Sequence, residues 1–343
     1  MLFLLGLSNL KEVKYCLEVW GTDYQKIKGT CLTAERLGYY GFYYGESLTD
    51  IDLDCWTVLA SLIPLTETIK LGPVITYILP QYRSIPLLAK QCISFQDISN
   101  GRLEFRTGSG ASLKYSYPWW NPYGIKYHGT LDRIRIFSEG IDLLSRYFGK
   151  PVTSNRFLIS DSDNSENKGS LTNTVNFDGE FFKAYNAQMK LPKKDIPITI
   201  AAQNSKMIQI AARYAATWEI SYIEPHEFEI KNQEFNGLLL VSEMKEMNNA
   251  QNYSRVPNIT KSVELDVIIA ETSKELEVKK KIFEIERGID TFNAITQKAL
   301  IGTPDTVRAR IEEYKRSGVT QFLLAFLDPH DLDAIELFMD CVK

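Results

Sequence analysis

Short apolar runs alternate along this chain with longer stretches whose apolar residues recur at helical spacing, the pattern of strands and helices in turn. Leu2 to Leu7 reads as a first strand. A helix from Thr30 to Leu37 is closed by Gly38, which readily takes the left-handed conformation of a C-terminal cap. Tyr40 to Tyr44 is a second strand, ending at Gly45-Glu46-Ser47. Asp54 caps a helix through Leu65. Ile69 to Thr76 is a third strand, and Ser84 and Pro86 mark the start of a helix from Ile85 to Ile98. Ser99-Asn100-Gly101 turns the chain, Arg102 to Thr107 alternates as a fourth strand, and Gly108-Ser109-Gly110 follows at once. Asp132 to Phe148 is a long amphipathic helix.

The rhythm breaks over residues 151–195, where Ser160 to Ser170 is polar enough for a mobile excursion and Phe177 to Phe182 reads as a small hairpin. It resumes with strand Ile196 to Ala202, helix Ser205 to Ala215 and strand Thr217 to Tyr222. A polar helix from Glu227 to Asn249, strand Ser262 to Ala270 and a charged helical run from Ser273 to Lys281 come next. Thr303-Pro304 opens a helix closed by Gly318, and strand Gln321 to Phe326 precedes a last helix from Asp331. Eight strand–helix units, with strands apolar enough to be buried on both faces, predict an α/β fold. A closed (β/α)8 TIM barrel is favoured over an open doubly wound sheet. A single domain over 1–343 holds these units, with 151–195 as an insertion.

Composition narrows the function classes. The hydrophobic share of 44% and charged share of 24% suit a globular protein with a sizeable core. Thirty-nine basic against 43 acidic residues give a net charge of −4, which favours neither nucleic acid nor an anionic membrane surface. Met1 to Leu7 is too short to span a bilayer and meets Lys11 too soon for a signal peptide. Cys16, Cys31, Cys55, Cys92 and Cys341 are scattered and odd in number, as expected of reduced thiols in a cytoplasmic protein. His128, His226 and His330 fall at no metal-ligand spacing, so no metal is expected. The 12% aromatic share hints at an aromatic-lined cavity, with Tyr115 to Tyr123 as its candidate wall.

The stretch Ile98 to Gly110 carries the first chemical signal. A strand running into Gly-x-Gly lets backbone N–H groups approach an anion without Cβ atoms in the way, although a plain tight turn has the same sequence. Glu104 and Arg106 share one strand face and fit an interior ion pair.

Several segments then line up with one family. Ala34-Glu35-x-x-Gly38, Thr66-x-x-Ile69-x-Leu71-Gly72, Pro86-x-x-x-Ala89-Lys90 and Ser99 to Phe105 with Gly108-x-Gly110 resemble the bacterial-luciferase-like oxidoreductases. Phe177-x-Gly179-x-x-Phe182, Pro197 to Ala202, Ile301-Gly302-Thr303-Pro304 and Gly318 to Phe322 continue the match. The resemblance implies a (β/α)8 barrel, commonly homodimeric, that binds flavin mononucleotide (FMN) or the deazaflavin coenzyme F420 at the C-terminal ends of its strands. It places the cofactor against Gly45, Thr76, Gly108, Ser109 and Gly110. It also implies a phosphate-holding turn at Gln203-Asn204-Ser205-Lys206, where a helix N-terminus favours anions. Ser109 stands where the luciferase branch has a phosphate-binding arginine. Gly72-Pro73-Val74-Ile75-Thr76 resembles the deazaflavin reductases, in which a bulge with an unusual peptide bond backs the ring. F420 is therefore the favoured cofactor and FMN the alternative.

Relatives often carry a histidine after strand two, where this chain has Gly45-Glu46. Glu46, buried, is the candidate catalytic acid or base; the structural alternative is an ion pair with Arg83 or Arg106. The expected activity is hydride transfer to or from a small organic substrate. The alternatives are an FMN-dependent monooxygenase served by a separate flavin reductase, and a non-catalytic flavin-binding protein.

Overall fold

The computed structural model describes residues 12–150, 171–247 and 259–343. Its centre is a parallel barrel of eight strands: β1 Lys14–Val19, β2 Gly41–Gly45, β3 Lys70–Val74 continued by Thr76–Tyr77, β4 Phe105–Gly108, β5 Ile198–Ala201, β6 Thr217–Ser221, β7 Thr260–Ile269 and β8 Gln321–Phe326. β1 pairs with β2 and β8, and the order runs on through β7, β6 and β5 to β4. The ring closes where Thr76–Tyr77 pairs with Thr107 and Gly108 and Leu71 bridges Leu103. This is the expected (β/α)8 barrel.

Helices fill the outside for the reasons the sequence offered. Asp23 accepts hydrogen bonds from Gln25 and Lys26 N–H and so starts helix Tyr24–Leu37 a turn and a half before Thr30; Gly38 ends it in the left-handed region. Ile85–Ile98 has the predicted bounds, and Asp54 caps Cys55–Leu62. The hairpin is longer than expected, pairing Thr172–Asp178 with Lys183–Lys190. The excursion at Ser160 to Ser170 and the strand expected at Leu2 to Leu7 lie outside the described residues. The place of a first barrel strand is held by Lys14–Val19, which sequence pattern missed. Helix Leu113–Trp120 and the short strand Leu300–Gly302, paired with the end of β7, were missed as well.

The strands are buried on both faces, but the inner face is not apolar. Arg106, fully buried, forms ion pairs with Glu104 at 3.3 Å and with Glu219. Glu104 also accepts from Tyr43 Oη at 2.7 Å and Thr199 Oγ1 at 2.8 Å, and Glu219 accepts from Ser262 Oγ at 2.8 Å. The guanidinium lies 4.3 Å from the Tyr43 ring centre. Charges so deep persist only when their lone pairs and protons are matched. Arg106→Met should therefore strand two buried carboxylates and cost about 3–5 kcal/mol in urea denaturation, whereas Arg106→Met with Glu104→Gln and Glu219→Gln should recover most of that loss.

Candidate active site at the barrel mouth

Parallel packing puts every strand's C-terminal end on one rim, and the residues singled out in sequence meet there. Gly45 and Glu46 leave β2, Thr76 lies in the second part of β3, Gly108 to Gly110 leave β4, and Gln203 to Lys206 leave β5. The peptide between Val74 and Ile75 is cis and divides β3, the irregularity that the resemblance implied at this point.

The glycine loop is shaped by a residue the sequence gave no reason to choose. Arg133, buried on helix Thr130–Tyr147, donates from Nη1 to the carbonyls of Ser109 at 3.0 Å, Gly110 at 2.7 Å and Ala111 at 2.8 Å. Its Nε donates to the His128 carbonyl at 3.1 Å. These bonds hold the loop's carbonyls toward the helix. A Cβ on Gly108 would lie 3.0 Å from Ile75 Cδ1 and 3.3 Å from Ala201 Cβ, so the rim there has room for backbone only. Gly110 has φ +85°, and a Cβ on it would run into the Trp120 ring. Trp120 in turn packs edge-on to Tyr77 at 5.0 Å and stacks on Tyr127 at 5.9 Å. Within the stretch expected to form an aromatic wall, Trp120 is instead buried and packs with Tyr77 and Tyr127, while Tyr117 and Tyr123 are exposed.

Glu46 is buried and occupied. It is ion-paired to Arg83 and accepts from Thr76 Oγ1. Burial raises its pKa, with Arg83 pulling the other way. Of the two pairings considered for Glu46, Arg83 is the partner; Arg106 is committed to the interior. Thr76 is spent twice, since its carbonyl accepts from Thr107 Oγ1 at 2.7 Å.

Gln203 to Lys206 are exposed at the start of helix Ser205–Tyr214. Asn204 caps this helix through Met207 N–H at 3.0 Å, and Gln203 Nε2 donates to the Ser221 carbonyl at 2.6 Å. Ser205 donates to Glu234 and helps hold that carboxyl below its ordinary pKa. The turn therefore offers helix-end N–H groups and the Lys206 ammonium to an anion.

A further set of carboxylates went unnoticed in sequence. Glu18, Glu264 and Asp266 line the mouth from β1 and β7. Their signal was the alternation Ser262-Val-Glu264-Leu-Asp266-Val, which puts acids on one strand face. Among the described residues no group of three or more His, Cys, Asp or Glu is arranged to hold a metal ion, and no helix is long and apolar enough to cross a membrane.

Comparison with known proteins decides the family: the sequence profile of luciferase-like monooxygenases matches residues 15–279. The chain belongs to that family. It is accordingly an oxidoreductase. Among curated relatives, a 5,10-methylenetetrahydromethanopterin reductase of Archaeoglobus fulgidus is 25% identical over 296 residues, covering 78% of this chain and 79% of the relative. Among solved structures, an F420-dependent secondary alcohol dehydrogenase in complex with an F420–acetone adduct aligns with a TM-score of 0.73 at 12% identity, over 97% of this chain and 99% of the other. A monooxygenase from Streptomyces bottropensis aligns with a TM-score of 0.70 at 16% identity, over 96% and 98%.

The glycine rim yields a direct expectation. Gly110→Ala, strained at φ +85° and opposed by Trp120, should cost about 1–3 kcal/mol in thermal or urea denaturation; unchanged stability would mean that the loop is not fixed in this conformation.

Proposed function

We propose that this luciferase-like barrel is a deazaflavin-dependent oxidoreductase that moves a hydride to or from a small organic substrate. The observation that carries the reading is the glycine rim held from behind by Arg133, where a Cβ at either glycine would meet a neighbouring side chain. The reductase from Archaeoglobus fulgidus supports the same direction, because most of its length aligns with most of this chain.

The residues present fit such a cofactor. Backbone at Gly108, Ser109 and Gly110 would border the ring, with Gly45 and Thr76 on the adjoining strands. The N-terminus of helix Ser205–Tyr214, with Gln203, Asn204, Ser205 and Lys206, would hold the phosphate-bearing tail. When bound, a deazaflavin supplies two-electron hydride chemistry with little reactivity toward oxygen. The protein's part is to orient the ring and substrate and to keep water out. We assign the enzyme to the cytoplasm, on its reduced-thiol composition, and to a homodimer, on the family's habit.

Glu46 serves this reading best as a positioning group. Arg83 and Thr76 occupy its carboxylate and tie the end of β2 to the bulge in β3. A carboxylate engaged this way is poorly placed to exchange a proton with substrate.

The test is spectroscopic. Under nitrogen, reduced F420 mixed with the protein and a panel of ketones and methylene-bearing pterins should regain its oxidised absorbance with at least one substrate. Glu46→Gln should change kcat by less than about tenfold; a fall of about 100-fold or more with an altered pH profile would make Glu46 the acid or base. Rapid oxygen uptake with reduced FMN, and no hydride transfer from F420, would establish the monooxygenase alternative. Cofactor binding without exchange on any substrate would leave a binding protein.

A further inference from the structure

Residues 271–299, between β7 and the short strand Leu300–Gly302, carry a small core of their own. Leu276 and Phe283 of helix Ser273–Arg287 pack with Ile268 and Ala270 from the end of β7, and Phe292 and Ile295 of helix Ile289–Ile295 join them. A capping box of Thr272 and Glu275 starts the first helix. Leu276 and Phe283 are seven residues apart, about two turns, and so mark its inward face. Lys279 reaches Asp331 at 2.8 Å, and Arg287 lies 5.8 Å from the ring of Trp20, which follows β1. The helix is fixed on its barrel side.

Its outward side is not polar. Val278, Ile282 and Ile285 follow one another at spacings of four and three, and they are 56%, 42% and 74% exposed. At about 100° per residue they fall within roughly 60° of one another, on the side away from Leu276 and Phe283. Ile289, just past the helix end at Gly288, is exposed as well. A lone exposed isoleucine needs no explanation, but a run at heptad spacing is the seam of a helix pair. The charges beside the seam are sorted by sign. Glu275 and Glu286 project along one edge of it, Lys274 and Lys281 along the other. Lys281 meets Glu284 at 2.9 Å on the exposed surface of its own helix, a pair that contributes little.

We propose that this face of helix Ser273–Arg287 docks the same face of a second copy of the chain, with the two helices parallel. A two-fold axis running along the helices lays the acidic edge of each seam against the basic edge of the other. Lys281 of one copy then stands five residues before Glu286 of the second, the offset at which flanking charges meet in a parallel helix pair. An antiparallel pairing would set like edges together, acid on acid and base on base. The sorted charges therefore select both the occupant, a second copy, and its direction. The pairing is independent of the cofactor reading and of any dimer contact elsewhere on the barrel.

Size sets the strength. Val278, Ile282 and Ile285 together expose roughly 300 Å² of apolar side chain, so two copies bury roughly 600 Å², with the stems of Lys274, Lys281 and Glu286 added at the edges. That is the size of a weak, concentration-dependent contact, with a dissociation constant on the order of 10–100 μM. Its position gives it a consequence for the mouth. The helix starts where β7 ends and finishes against Trp20 after β1, so a partner seated on its outer side braces both of those strand ends at once.

Ile285→Cys in the full-length protein tests this, because the five native cysteines are all buried. Parallel pairing sets residue 285 opposite itself, within reach of a disulfide. Mild oxidation at about 50 μM protein should give a covalent dimer on a non-reducing gel. Leu240→Cys, exposed on helix Pro225–Met247, should give about a tenth as much or less. In sedimentation velocity over about 5–200 μM, Lys281→Glu or Glu286→Lys alone should weaken the association about threefold or more, and the two together should restore it. Ile285→Lys, on a side chain that takes no part in the small core, should abolish this step; a dimer held by another face would remain. No disulfide at residue 285 above the Leu240→Cys control, or sedimentation unchanged by Ile285→Lys, would overturn the proposal. Failure of the double charge reversal to restore association would overturn the parallel arrangement.

Discussion

The ion pairs of Arg106 with Glu104 and Glu219 set the terms for the rest of the barrel. A guanidinium with no exposure has to be matched where it lies, and the matching groups come from β4, β6 and other strands: Tyr43 of β2, Thr199 of β5 and Ser262 of β7. With Gln321 Nε2 of β8 also donating to Glu104 at 3.4 Å, one network ties six strands across the interior, which an apolar filling would leave to packing alone. It also spends the interior's cation below the rim. The acids above it, on β1 and β7, are left to protons or to whatever enters the mouth.

The rim itself is divided by chemistry. On the side of β2 to β5 it combines backbone, small side chains and a helix N-terminus, at Gly45, Gly108 to Gly110, Ala201 and the turn Gln203 to Lys206, with the buried Glu46–Arg83 ion pair. Arg133 holds this side from outside the barrel by its loop carbonyls, so the geometry of the rim depends on a helix outside the barrel. On the side of β6 to β1 the rim is acidic and aromatic. The proposed cofactor, flat with an anionic tail, is assigned to the first side.

Much of this was legible in the sequence, for identifiable reasons. Helix Ile85–Ile98 and strand Gln321–Phe326 have the bounds their pattern predicts, because Ser84 with Pro86 and an unbroken apolar run leave little choice. The interior Glu104–Arg106 pair follows from period-two spacing on one strand, and the Glu46–Arg83 pair was one of two partners weighed. Strand Lys14–Val19 was overlooked because Lys14 and Glu18 break its apolar run, and Glu18 is there to face the mouth. Helix Leu113–Trp120 was hidden by Pro118 inside it. Arg133 had no signal at all, since its partners are backbone carbonyls that no side chain announces. Pairwise register across strands that lie far apart in sequence, as with Glu18, Ala325 and Asp266, appears only once the ring is closed.

Equilibrium binding of coenzyme F420 and of FMN to the purified protein, side by side and followed by fluorescence, tests the central claim most directly. The account predicts selective binding of the deazaflavin, at micromolar dissociation constants or tighter. Selective binding of FMN would contradict it.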